Sequence, residues 1–255
     1  MRAMDVLGRI QAYRGEELRA EHESETLPPF TAFFGRDTRA DVALLDQPRA
    51  GDLDSALDAV RAAFAARGRP LRVELLDALA PDLLERLRRR GLVEIERTWV
   101  LACAPDWLRP APPVPGLSID TLTEESPLVA VQEGLAINER GFDPGWTGAI
   151  SATQADAFRR QLRTARAYTA RVEALGVGAG MLNAPRGGVA ELVGVATLAE
   201  HRRRGVATAL TAAATREAFA AGVDLVFLVA ASAPASRVYQ RLGFRPVAQR
   251  VVVAE

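Results

Sequence analysis

The segment Val195–Leu210 reads VATLAEHRRRGVATAL and passes from a β-like run, through an arginine cluster, into an alanine-rich helix. Its join contains the pattern Arg-x-x-Gly-x-Ala, formed by Arg202, Gly205 and Ala207. A helix start leaves backbone N–H groups unpaired and carries the positive end of the helix dipole. Small residues there let an anion approach the backbone closely, and neighbouring arginines add positive charge. The pattern therefore predicts a pyrophosphate-binding loop, with a basic helix cap around a tightly packed glycine as the alternative.

The spacing separates this loop from two other phosphate-binding loops. It contains no Gly-Lys-Ser/Thr, so it is not a Walker A loop, and it lacks the three glycines of a dinucleotide-binding fingerprint. The choice between an anion site and a plain helix cap therefore depends on the residues that follow.

A second pattern lies in the residues after this helix. Asp224–Ala230 is a nearly continuous apolar run, which is typical of a strand buried on both faces. In the next segment Ser232 suits the N-cap, Pro234 the first turn and Gly243 the C-cap of a short helix. A last strand is predicted at Val247–Val253.

The two patterns, in this order and at this separation, resemble the GNAT family of N-acetyltransferases. Arg202–Ala207 is similar to the family's acyl-CoA pyrophosphate loop, and Ser232–Phe244 is similar to its segment Asn-x-x-Ala-x-x-x-Tyr-x-x-x-Gly-Phe. Tyr239 matches the tyrosine, whereas Ser232 stands where the family usually has an asparagine that touches the pantetheine arm. The resemblance covers roughly Leu117–Glu255.

This resemblance implies acetyl-CoA as a cosubstrate. In the family the cofactor lies where two parallel strands splay apart, here Val189–Leu198 and Asp224–Ala230. A free backbone N–H near Thr197 or Leu198 would polarise the thioester carbonyl, and the N–H groups of Arg204 to Thr208 would hold the pyrophosphate. The cofactor-binding residues predicted in this way are Leu198, Arg202, Arg203, Arg204, Gly205, Val206, Ala207, Thr208 and Ser232.

Two residues are candidates for catalysis. Tyr239 would donate its phenolic proton to the leaving thiolate, since a phenol is protonated at neutral pH; the alternative is a core aromatic with its hydroxyl at the rim. Glu191 lies on the strand that leads to the loop, where some family members carry a base, and the alternative is a solvent-facing strand residue. Gly141–Trp146 lies where the acceptor site forms in the family, so Phe142 and Trp146 would flank an amine and Asp143 would attract it, unless the loop is simply packed.

The chain divides at the proline-rich connector LRPAPPVPG. We predict a degenerate GNAT-like domain without a CoA loop at residues 1–107, a linker at 108–116 and a GNAT acetyltransferase domain at 117–255. The predicted fold class is mixed α/β (α+β): a GNAT fold with a central mixed sheet, splayed parallel strands and a tandem GNAT-like repeat. The first part echoes the second in a helix, a strand, a helix ending in glycine and a final strand, Val93–Cys103, although such units are common enough for coincidence. Near its start, Arg14–Glu21 is predicted to be a solvated helix or loop.

The second part is predicted in the order β-α-α-β-β-β-α-β-α-β, which is the order that the resemblance implies. Its first strand is predicted at Leu117–Leu122 from the alternation of residues. Ser126-Pro127 would cap a helix that runs to about Asn138, and Glu139–Trp146 would be a turn-rich loop.

The glycines of the two parts set them in register. Gly51 and Gly68 lie as far apart as Gly205 and Gly222, which places Asp52 at a helix start. A carboxylate there stabilises the helix through its dipole but repels an anion. In this register Pro48, Asp52 and Leu53 stand opposite Arg202, Val206 and Ala207, and no tyrosine matches Tyr239. The first part is therefore predicted not to bind CoA.

Composition excludes several functional classes. The 32 basic residues are all arginine and balance 32 acidic ones, so no global charge favours nucleic acid or an anionic membrane. The single cysteine, Cys103, lies in an apolar run and is predicted to be a buried, inert thiol. With two distant histidines a metal site is not expected, and no apolar stretch reaches membrane-spanning length, so a cytoplasmic location is expected.

The leading hypothesis is an acyl-CoA-dependent N-acyltransferase that transfers acetyl to a primary amine in a ternary complex. The acceptor would be a small-molecule amine or a peptide amine, and the protein a monomer or homodimer, with no nucleic-acid or membrane partner. The runner-up is a CoA-binding sensor or scaffold without transferase activity. A nucleic-acid patch at Arg202–Arg204 is a third interpretation, but three arginines on a neutral protein are few for phosphate-driven binding.

Overall fold

The structure is a computed structural model that describes residues 3–36, 41–46 and 52–255 of the 255-residue chain. Two units are distinguished. Unit 1 consists of Met1–Val100, Ala230–Ser232 and Pro246–Glu255, and unit 2 consists of Leu101–Val229 and Ala233–Arg245. The division into domains at 1–107 and 117–255 stays a prediction.

The elements of the first part alternate between helices and short strands. In chain order they are α1 (Ala3–Glu21), β1 (Glu23–Leu27), β2 (Phe30–Phe34), β3 (Val42–Leu45), α2 (Leu53–Ala66), β4 (Arg72–Leu76), α3 (Leu83–Arg89) and β5 (Val93–Cys103).

The elements of the second part follow the predicted order β-α-α-β-β-β-α-β-α-β. They are β6 (Leu117–Leu122), α4 (Leu128–Phe142), α5 (Ala152–Gln161), β7 (Arg166–Val172), β8 (Leu175–Leu182), β9 (Val189–Thr197), α6 (Val206–Ala220), β10 (Leu225–Ala230), α7 (Ala233–Arg241) and β11 (Arg245–Ala254).

Unit 1 is a mixed sheet with strand order β1-β2-β3-β4-β11-β5. β1, β2 and β3 are antiparallel neighbours, β3 and β4 are parallel across α2, and β11 is antiparallel to β4. The main core lies between the sheet and α2, where Phe30, Val60, Phe64 and Val73 are almost fully buried. On the opposite side Leu18 of α1 packs in a second cluster with residues of β2 and β3, so α1 is a packed helix and not a solvated segment.

Unit 2 repeats this pairing scheme. Its strands are ordered β10-β9-β8-β7-β6, with antiparallel pairs from β6 to β9 and a parallel pair of β9 and β10 across α6. α6 lies so close to β8 that a Cβ on Gly178 or Gly180 would come within 2.9 Å of α6 side chains. Ile137 of α4 packs with Ala179 and Leu198. The predicted mixed sheet with a parallel pair is confirmed.

Several local predictions needed correction. α4 continues to Phe142, so the predicted turn-rich segment from Glu139 is helical up to that residue. Its N-cap is Pro127, while the Ser126 hydroxyl accepts a hydrogen bond from the Thr123 N–H at 2.9 Å. Gly141 would ordinarily favour the end of a helix, but α4 continues past it because its buried face, which includes Ile137 and Gly141, continues to this point.

Two further observations concern the cysteine and the membrane-spanning segments that the sequence analysis considered. Cys103 is buried, as predicted, and burial raises the pKa of its thiol to about 12, so it stays protonated and unreactive. Within the described residues no helix combines the length and the apolar character needed to cross a bilayer.

Candidate active site

The start of α6 is an open helix end. Gly205 is its N-cap in the left-handed conformation, with φ 87° and ψ −1°. Among the described residues, no side chain at this N-cap accepts a hydrogen bond from the first N–H groups of the helix. The first helical bond runs from the Ala209 N–H to the Gly205 carbonyl at 2.9 Å. The N–H groups of Val206, Ala207 and Thr208 therefore have no intrahelical acceptor. This geometry suits an anion, because free donors and the helix dipole act at one place.

The loop that precedes α6 is basic and tightly coiled. Arg203 has a φ of 61°, so both it and Gly205 adopt left-handed conformations. Left-handed residues in a loop turn neighbouring N–H groups toward one side, the arrangement found in anion-binding concavities. Arg203 and Arg204 are exposed, so their guanidinium groups add positive charge beside it. Val206 is 2% exposed, so its side chain is packed inside the protein and is not available to a ligand.

Arg202 has a different position from the next two arginines. Its Nε donates to the Thr197 carbonyl at 3.2 Å and its Nη2 donates to the Gly141 carbonyl at 2.7 Å. The side chain thus connects the end of β9 and the end of α4 to the loop. A direct contact of Arg202 with the cofactor stays a prediction, but its two bonds give it a supporting role.

We expect Arg202→Met to lower the free energy of unfolding by roughly 1–3 kcal/mol, because two hydrogen bonds from a charged donor are lost. Arg204→Met is the matched control, since both arginines are exposed in the same loop but these two bonds belong to Arg202. It should change stability by less than ~0.5 kcal/mol. Urea unfolding of the three proteins measures both values. Equal stability of the two variants would contradict the supporting role of Arg202.

The corresponding helix start in unit 1 is closed by a carboxylate. Asp52 is the N-cap of α2, and its side chain accepts from the N–H groups of Asp54 at 3.2 Å and Ser55 at 3.4 Å. The hydrogen bond from the Ser55 hydroxyl, followed by those from the two N–H groups, holds the pKa of Asp52 below its usual value. The carboxylate therefore stays ionised and occupies the donors that an anion would need.

One detail of the predicted register needs correction. Asp52 and Gly205 are both N-caps, so they correspond to each other, one position away from the predicted match of Asp52 with Val206. The cause is that α2 has 14 residues and α6 has 15. Pro48 and Gly51, which were also part of that register, lie outside the described residues.

β9 and β10 diverge along their length. Their parallel ladder pairs Leu225 with Val189, and its last pair is Phe227 with Glu191, although β9 continues to Thr197. The strands thus form the predicted splay, and Glu191 lies at its closed end. The Glu191 carbonyl accepts from the Asn183 N–H at 2.9 Å, and its side chain is half-buried.

A β-bulge lies in β9 beside this splay. The register against β8 shifts between Ala179 and Met181, and Gly194 has a φ of 62°. The Asn138 side chain of α4 donates to the Gly194 carbonyl at 2.5 Å. A bulge leaves backbone groups outside the ladder and redirects them. Sequence reasoning missed Gly194 and Asn138, although a glycine inside a strand pattern is the usual signal of a bulge.

The predicted free N–H was wrong for Leu198, while the alternative at Thr197 stays a prediction. The Leu198 N–H donates to the Val177 carbonyl of β8 at 2.9 Å. This bond extends the β8 pairing past Thr197, so the backbone of Leu198 is not available to polarise a carbonyl. Among the described strands, Gly194 and Val195 instead have no ladder partner in β8 or β10.

Tyr239 lies on α7, which packs against α6. Its ring meets Phe244 edge-on, with centroids 6.2 Å apart. Burial raises the pKa of Tyr239, so the phenol is protonated at neutral pH. Ser232 directly precedes α7, at the predicted N-cap position, and is exposed.

The predicted acceptor loop is a short turn after α4. The Asp143 carboxylate accepts from the Gly145 N–H at 2.9 Å, and the Trp146 N–H donates to the Asp143 carbonyl at 3.0 Å. Phe142 is 65% exposed at the end of α4. The turn is therefore ordered by its own hydrogen bonds and presents an aromatic ring to solvent.

Residues 138–244 match the model of the Acetyltransferase (GNAT) family. This match confirms the resemblance drawn from the two sequence patterns, and it includes the bulge, the splay, the α6 start and α7. No curated protein matches the chain.

Solved structures extend the likeness to both units. A GCN5-related N-acetyltransferase from Kribbella flavida is 26% identical, with 98% of this chain and 95% of that chain covered and a TM-score of 0.79. A GCN5-related N-acetyltransferase from Sphaerobacter thermophilus is 18% identical, with coverage of 89% and 76% and a TM-score of 0.67. A tandem GNAT protein from the clavulanic acid biosynthesis pathway is 19% identical, with coverage of 89% and 78% and a TM-score of 0.66. The last two show the shared fold.

Proposed function

We propose that this chain, whose residues 138–244 match the model of the Acetyltransferase (GNAT) family, transfers an acetyl group from acetyl-CoA to a primary amine. The amine attacks the thioester directly in a ternary complex, and no covalent enzyme intermediate forms. The observation that carries the proposal is the open start of α6 at the end of a splayed strand pair. A pyrophosphate and a thioester on one extended ligand fit these two features.

The α6 start supplies the binding energy for the cofactor. The N–H groups of Val206, Ala207 and Thr208 would donate to pyrophosphate oxygens, and Arg203 and Arg204 would add charge around them. Hydrogen bonds to ionised acceptors are about twice as strong as neutral ones. Holding the cofactor here orients the rest of it along the splay between β9 and β10.

Three groups of this chain would act on the reacting atoms. The bulge at Gly194 and Val195 would donate a backbone N–H to the thioester carbonyl oxygen as negative charge develops there. Glu191, at the closed end of the splay, would accept the proton that the attacking ammonium loses, directly or through water. Tyr239 would give its phenolic proton to the leaving sulfur. The carbon–nitrogen bond forms while the carbon–sulfur bond breaks, so the products are an amide and CoA.

Titration calorimetry with acetyl-CoA tests the cofactor site. We expect one molecule to bind per full chain, because α6 has open donors while Asp52 fills those of α2. A stoichiometry of two would contradict the role assigned to Asp52. No heat of binding at several temperatures, with folded protein, would reject the proposal itself.

Turnover separates the two functions that share a CoA site. Release of CoA from acetyl-CoA across a panel of primary amines supports the transferase. Tight binding with no release from any amine would support a CoA-binding sensor, for which the serine at position 232 is the motivating feature.

A further inference from the structure

An apolar cavity of about 130 Å³ lies within unit 2, between helices α4 and α5 and strands β6 to β9. Val131 is fully buried at its wall, and four of its other apolar side chains are half-buried, so they form a rim that opens to solvent. The six large apolar side chains that line it are Leu122, Val131, Leu135, Phe158, Met181 and Val193.

The cavity borders the bulge of β9. Gly194 and Val193 belong to its lining, as does Asn138, whose side chain holds the Gly194 carbonyl. In the proposed function this bulge faces the thioester carbonyl. A ligand group inside the cavity would therefore be attached to the atom that attacks the carbonyl, or lie very near it.

The chemistry of the lining disfavours a charged occupant. Of the described residues around the cavity, none carries a charged side chain. The Asn138 Nδ2 donates to the Gly194 carbonyl. The Tyr168 hydroxyl is buried, and burial first and the nearby Glu217 second raise its pKa, so it stays a neutral group. An ammonium placed inside would lose its hydration without gaining a counter-ion, which is unfavourable.

The size of the cavity is close to that of an aromatic ring. An apolar protein cavity of about 150 Å³ binds benzene. A phenyl or isobutyl group would contact the rim residues Leu135 and Phe158 while its ammonium stays at the mouth, toward the bulge.

We infer that the acceptor is a primary amine bearing an apolar group of about phenyl size, and that this group occupies the cavity. The inference rests on the proposed function. It disfavours polyamines and aminoglycosides, whose charge or hydroxyl groups would be unpaired among these side chains.

The test compares two amines that differ only in the ring. Ligand-observed NMR measures the dissociation constants of 2-phenylethylamine and ethylamine for the full chain saturated with CoA, which carries no acetyl group to transfer. We expect 2-phenylethylamine to bind roughly 10- to 100-fold more tightly, from the apolar area it buries. Equal affinities would overturn the inference.

Two variants locate the binding. Leu135→Trp fills the rim and should weaken the binding of 2-phenylethylamine at least ~10-fold, with little effect on the binding of ethylamine. Val129→Trp is the matched control, because Val129 lies on the same helix but is 70% exposed and outside the lining. Unchanged CoA affinity verifies the folding of both. If Leu135→Trp and Val129→Trp affect 2-phenylethylamine alike, the amine binds elsewhere and the inference fails.

Turnover measurements show whether a negative result rejects this inference or the transferase function on which it rests. No CoA release from acetyl-CoA with any amine rejects the transferase, while the NMR comparison still judges the cavity. Release with ethylamine as fast as with 2-phenylethylamine keeps the transferase and rejects the inference. A preference for hexanoyl-CoA over acetyl-CoA that Leu135→Trp removes, with no preference between the amines, would assign the cavity to the acyl chain and also reject it.

Discussion

Gly205→Val should lower the affinity for acetyl-CoA by roughly 10²–10⁴-fold, because two or more charge-assisted hydrogen bonds to the pyrophosphate would be lost. Gly205 has a φ of 87°, a conformation that a β-branched residue resists. Its Cβ would also lie 2.9 Å from the Val114 side chain. The new side chain would therefore both distort the loop and cover the backbone donors. Titration calorimetry measures the loss.

Gly222→Val is the matched control. Gly222 follows the other end of α6 with a φ of 90°, and a Cβ there would meet nothing within 4 Å. Both variants should lose stability by roughly 1–2 kcal/mol, the cost of a left-handed residue with a side chain. Only Gly205→Val should lose affinity for acetyl-CoA. Wild-type affinity in both would show that the α6 start is not the pyrophosphate site.

Tyr239→Phe should reduce turnover by roughly 10²–10⁴-fold, the range for a positioned proton donor. The ring and its edge-on contact with Phe244 remain, so stability should change by less than ~1 kcal/mol, about one hydrogen bond. Acetyl-CoA affinity should change little, since the hydroxyl matters most when charge develops on sulfur. Steady-state kinetics and calorimetry check these values, and a variant with wild-type turnover would leave Tyr239 as a packing residue.

The pH profile gives a second test of Tyr239. Burial raises its pKa, so the proton donor is present at neutral pH and is lost only as the pH rises through that raised value. Wild-type turnover should therefore fall at alkaline pH. The residual turnover of Tyr239→Phe should lack this fall, because phenylalanine has no proton to lose.

The sequence by itself determined much of the fold. β6 and β5 begin and end at the predicted residues, Leu117–Leu122 and Val93–Cys103. The start of α6 at Gly205 and the carboxylate at the start of α2 were also predicted from residue type and spacing. These features are local, since helix ends and strand patterns depend on residues a few positions apart. The two patterns that indicated the family are likewise contiguous, so they could be read without coordinates.

Only the tertiary structure decided how the site is supported. The partners of Arg202 lie on α4 and β9, the Leu198 N–H is taken by β8, and Asn138 meets the bulge at Gly194. Each contact joins residues far apart in the chain, and an arginine or a backbone N–H carries no mark of which acceptor it will find. The apolar cavity has the same origin. Its lining comes from helices and strands that are separate in sequence, so its volume and chemistry exist only once those elements pack.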